Sequence, residues 1–79
     1  MNTIAEQWNL FEKAIMPVGA PDIQRQEMRR AFYGGAESIL RLQWSIGDGS
    51  ISEEAGVAII EGWHDECLRF AEDVTKGRA

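Results

Sequence analysis

Seventy-nine residues carrying a net charge of −5 make one small acidic domain. That charge, with a pI of about 4.7, argues against general nucleic-acid binding, which neutralises phosphates with an excess of Lys and Arg. One cysteine, Cys67, excludes an internal disulfide and fits a reducing, cytoplasmic setting.

A chain of this length buries only about 60% of its unfolded surface, so its core is marginal. With neither a disulfide nor a metal array to help, self-association into a homo-oligomer is the expected extra source of stability. The N-terminal stretch has neither a basic start nor a long apolar run, so no signal peptide is expected. The longest aliphatic run, Val57-Ala58-Ile59-Ile60, falls far short of the roughly 20 residues that a membrane helix needs, so no membrane partner is expected.

The first predicted helix covers residues about 3–16. Ile4, Trp8, Phe11 and Ile15 recur at helical spacing, and Thr3 with Glu6 matches a capping box. Leu10 and Ala14 lie off this stripe, so the helix is apolar on more than one side. Pro17, Gly19 and Pro21 end it and form a linker.

The second helix covers about 22–46. Met28, Phe32, Gly35, Ile39, Leu42 and Ile46 form its apolar stripe, with Tyr33, Leu40 and Trp44 beside it. Gln26, Arg30, Glu37 and Arg41 take the opposite side, where Glu37 and Arg41 make a favourable i,i+4 pair. Two consecutive glycines, Gly34 and Gly35, interrupt this helix at a cost of roughly 2 kcal/mol relative to two alanines.

Gly47-Asp48-Gly49-Ser50 is a tight turn that permits only an antiparallel return. Ser52 caps the third helix, about 52–76, with Glu53 and Glu54 well placed against its dipole. Gly56, Ile59, Trp63, Cys67, Phe70 and Val74 form its core stripe, and Val57, Ile60, His64, Leu68 and Ala71 a second one. Glu61, Asp65, Glu72 and Lys76 form the wet face, and the last three residues are expected to fray. The fold expected is all-α: a long antiparallel hairpin with the shorter N-terminal helix packed on it, in a single domain 1–79.

Taking Gly49 as the centre of the turn sets a register. Gly35 then faces Trp63, Met28 faces Phe70, Ile39 faces Ile59, and Leu42 faces Gly56. Trp63 over Gly34 and Gly35 would explain the paired glycines, because small residues admit a close approach. Ala31/Gly35 and Ala58/Gly62 repeat a small-xxx-small spacing on both helices. The apolar stripes are wider than three helices can hide, so the surplus is expected at an interface between copies or against a partner protein. The alternative is that the first helix fills the groove and the rest is ordinary surface.

Few residues propose chemistry. The turn at Asp48 resembles the centre of an EF-hand loop. Aligned so, however, Trp44, Ile46 and Ala55 occupy positions one, three and twelve, where oxygen ligands are required. His64 and Cys67, one helical turn apart, supply only two zinc ligands. No local nucleophile motif or phosphate loop is present, and the carboxylate pairs fall on solvated faces. No cofactor, metal or enzymatic activity is expected.

Arg25, Arg29 and Arg30 gather in an otherwise acidic chain. Arg29, Arg30 and Tyr33 lie on adjacent turns beside Gly34, whose bare backbone allows close approach. Guanidinium forks bind phosphate, and a tyrosine ring can stack on a base. Arg29, Arg30, Tyr33 and Gly34 are therefore the candidate site for a small phosphorylated, nucleotide-like ligand. The competing reading is ordinary pairing of these arginines with Glu27 or with acids on the third helix.

The block Gln26-Glu27-Met28-Arg29-Arg30-Ala31-Phe32-Tyr33-Gly34-Gly35-Ala36 resembles one in small accessory proteins of tailed phages and prophages, with looser similarity over about 17–74. The resemblance implies a protein of the host cytoplasm that binds something belonging to the host. Three functions follow as expectations. One is counter-defence by sequestering a nucleotide signal at an oligomer interface. The second is masking of a host protein by the acidic face of the third helix, and the third is a structural or assembly role in the phage.

Overall fold

The computed structural model describes residues 2–47 and 49–79. It is all-α, with a short N-terminal helix and two longer ones: α1 (Ile4–Ile15), α2 (Asp22–Ile46) and α3 (Glu53–Thr75). Two compact units divide the chain, Met1–Gln43 and Trp44–Ala79, and each is described by itself.

The first unit begins at the expected capping box. Thr3 Oγ1 accepts from the Glu6 amide at 3.1 Å, and the Thr3 amide donates to Glu6 Oε1 at 3.3 Å. Two backbone donors that a helix start leaves open are thereby satisfied. Met16 ends α1 in an extended conformation, as a residue before proline favours. The linker turns through Gly19 at φ +83°, with the Ala20 amide donating to the Pro17 carbonyl at 3.2 Å. The Pro21 carbonyl then accepts from the Arg25 amide, starting α2.

An aromatic cluster locks α1 onto α2. The Trp8 ring lies 5.5 Å from that of Phe32 and 6.0 Å from that of Phe11, and Phe11 and Phe32 are 5.2 Å apart. Tilted pairs at these separations gain about 0.5–1.5 kcal/mol each beyond their burial. Trp8 is 5% exposed and is the buried residue of this core, while Phe11, Met28 and Phe32 are half-buried. The predicted apolar stripe of α1 is thus buried at its centre and wet at its ends, because Ile4 and Ile15 are exposed. On the outer side of α2, the expected Glu37–Arg41 pair forms at 2.7 Å.

A Cβ added at Gly34 or Gly35 would meet no heavy atom within 4 Å. The Gly34 carbonyl accepts a hydrogen bond from Ser38 Oγ at 3.0 Å.

The second unit is essentially one long helix and the turn that leads into it. Gly49 adopts φ +84°, while Asp48, part of the expected turn and of the EF-hand comparison, lies outside the described residues. Ser52 Oγ accepts from the Ala55 amide at 3.1 Å, which confirms the cap. Half-buried Ile46, Ile51, Gly56, Ile59 and Trp63 trace an apolar strip along the turn and the first half of α3.

Cys67, Phe70 and Val74, expected in the core, are exposed. Their unit holds no second long helix to cover the C-terminal half of α3. The end of α3 does not fray as expected. Gly77 at φ +74° donates to the Val74 carbonyl, and the Arg78 amide donates to the Asp73 carbonyl at 2.7 Å. This Schellman arrangement satisfies two of the helix's last carbonyls, and glycine enters the left-handed region without a Cβ penalty.

Among the described residues, no helix is long and apolar enough to cross a membrane, and no group of three or more His, Cys, Asp or Glu gathers to hold a metal ion.

Candidate ligand-binding site

The first unit carries a hollow of about 610 Å³ between the middle of α1 and the first half of α2. Trp8 and Glu12 line it from α1, and Arg25, Gln26, Arg29, Arg30 and Tyr33 line it from α2. The spacing of α2 explains this convergence. Residues 25, 26, 29, 30 and 33 step by three and four, which places them on one broad helix face. Trp8 joins them because its ring is pinned against Phe11 and Phe32.

Each arginine is held differently. Arg25 Nη1 lies 3.3 Å from Glu12 Oε2, an ion pair that ties α2 to α1. Both side chains retain about a third of their exposure, so the pair stays accessible from the hollow. Arg30 Nη1 lies 3.5 Å from Glu27 Oε1 in an exposed i,i+3 pair. Exposed pairs of this kind contribute about 0.2–1 kcal/mol.

Arg29 has no carboxylate within ion-pair distance among the described residues. Its guanidinium carbon sits over the Tyr33 ring, 5.5 Å from the centroid. A guanidinium over a ring face can still donate its N–H groups to an acceptor. Tyr33 in turn meets Phe32 edge-on at 6.2 Å.

Three of the four residues proposed from sequence, Arg29, Arg30 and Tyr33, therefore come together in one hollow. Gly34 is outside its lining. The Tyr33 face that was to receive a base is taken by Arg29, so a base would meet the guanidinium plane instead. The alternative of ordinary pairing holds for Arg30, whose expected Glu27 partner is present, while Arg29 lies against the Tyr33 ring. Glu12 and the Trp8 wall are new at this site. Glu12 is thirteen positions from Arg25, across a linker, and no local pattern in the sequence joins the two.

Comparison with protein-family models, curated proteins and solved structures finds no match to this chain.

Proposed function

We propose that the protein is a non-enzymatic binding protein that sequesters a small nucleotide-like ligand through Arg29, Arg30 and Tyr33, with copies of the chain assembling around the site. The observation that carries this reading is the hollow itself. It draws three arginines and an aromatic wall together in a chain whose overall charge is negative. A phosphate meets the Arg29 edge, and a base finds the guanidinium plane.

Assembly is supported by α3. Val57, Ile60, Leu68, Phe70 and Val74 are exposed along it, and a lone helix cannot cover its own apolar stripe. The resemblance of block 26–36 to phage accessory proteins supplies the setting, the host cytoplasm, where removing a signal nucleotide serves counter-defence.

Thermal melts across a panel of linear and cyclic nucleotides, paired with native mass spectrometry, test the reading. A ligand at 100 times its Kd stabilises the folded state by about 2.7 kcal/mol. At about 4–8 °C per kcal/mol for a domain of this size, that raises the Tm by more than about 10 °C. Arg29→Met should abolish the rise and lower the unliganded stability by no more than the contact with the Tyr33 ring supplies, about 0.5–1 kcal/mol. A panel without a shift would refute sequestration.

A second reading, masking of a host protein, is favoured by one observation: Glu61, Asp65 and Glu72 are all exposed on α3. Capture of a host protein that survives Arg29→Met but fails on charge reversal of these three acids would select it.

A further inference from the structure

Resting on the reading that the hollow binds nucleotides, we infer that it is built for a single phosphate group, monoester or diester, and that Glu12 is the residue that turns polyphosphates away. The charges lining the hollow carry the argument. Three guanidinium groups are present, but two already face a carboxylate: Arg25 at Glu12, 3.3 Å, and Arg30 at Glu27, 3.5 Å. Arg29 alone among them has no carboxylate partner among the described residues, and its guanidinium carbon lies 5.5 Å from the centre of the Tyr33 ring. One planar fork matches the two oxygens of one phosphate.

Glu12 differs from Glu27 in place as well as in partner. It stands in the wall of the hollow, on the opposite helix from Arg29, whereas Glu27 is not part of the lining. Further phosphates of a diphosphate or triphosphate anchored at Arg29 share the hollow with the Glu12 carboxylate, which repels them there. The carboxylate also spends the charge of Arg25, which would otherwise offer a second phosphate subsite. A neutral base meets no such penalty, so the same wall tolerates a nucleoside.

Calorimetric titration of the whole chain decides the matter, with adenosine, inorganic phosphate, AMP, ADP, ATP and a dinucleoside monophosphate as probes. The wild-type protein should bind AMP or the dinucleoside monophosphate at least as tightly as ATP. Whichever of the two binds more tightly identifies the ester class. Glu12→Gln keeps the shape and an oxygen for Arg25 but removes the charge. It should tighten ATP about tenfold relative to AMP. On the unmodified protein, the affinity for AMP should weaken with added salt no less steeply than that for ATP, because one phosphate makes the contact in both.

Wild-type affinity that rises about tenfold or more from AMP to ATP would overturn the single-phosphate site while leaving nucleotide binding intact. An unchanged ATP-to-AMP ratio in a folded Glu12→Gln protein would overturn the role of Glu12. Absence of binding to every probe would remove the underlying function, and this inference with it.

Discussion

Replacing Trp8 by alanine should unfold the first unit. Trp8 is 5% exposed, and two rings, Phe11 and Phe32, stand 5.5–6.0 Å from its own. Removing a buried tryptophan costs about 3–5 kcal/mol from lost transfer and the cavity left behind. A chain of this size has a total stability of about 4–12 kcal/mol, so the loss is a large share of the whole. At about 4–8 °C per kcal/mol, the Tm should fall by more than about 12 °C.

Far-UV circular dichroism melts at matched protein concentration measure this directly. Fixed concentration matters because self-association would couple the Tm to it. Trp8→Phe is the control: it keeps an aromatic wedge between Phe11 and Phe32 and should lose much less than the alanine variant. The cluster also walls the hollow, so Trp8→Ala should eliminate nucleotide binding, while Trp8→Phe should weaken it. A loss of under about 0.5 kcal/mol for Trp8→Ala would refute the claim that this ring organises the first unit, since that is the range of surface substitutions.

Three further outcomes follow from single residues. Thr3→Ala removes the reciprocal cap with Glu6 and should lower stability by about 1 kcal/mol, read as a shifted denaturant midpoint with an unchanged slope. Gly34→Ala and Gly35→Ala place a methyl group in open space within a helix and should each stabilise the chain by about 0.5–1 kcal/mol in urea titrations. A loss of assembly by native mass spectrometry in either variant would instead show that a partner copy closes on these glycines. Gly49→Ala forces a side chain into the left-handed region and should cost about 1–2 kcal/mol in the same titrations.

Much of the secondary structure was legible in the sequence because its signals are local. Thr3 with Glu6, the proline-flanked linker and Ser52 before Glu53 and Glu54 each act within one helical turn, and the helix bounds fall within a residue of those expected. The end of α3 is ambiguous in sequence for a related reason: a glycine just past a helix is consistent with a frayed tail and is also the residue that closes a Schellman cap. Arg29, Arg30 and Tyr33 were found because a charge cluster in an acidic chain stands out by composition and because helical spacing places them on one face.

What tertiary structure decided is which of these residues remain available. Spacing groups three arginines without saying which ones have partners. Glu12 takes Arg25 from another helix, Glu27 takes Arg30 from its own, and Arg29 turns onto Tyr33. Burial was decided at the same level. A periodic stripe specifies which face of a helix is apolar, but the stripe is buried only where another element lies against it. Trp8 meets that condition between Phe11 and Phe32. Phe70, on an equally regular stripe, is exposed, and its own unit holds no second long helix to lie against it.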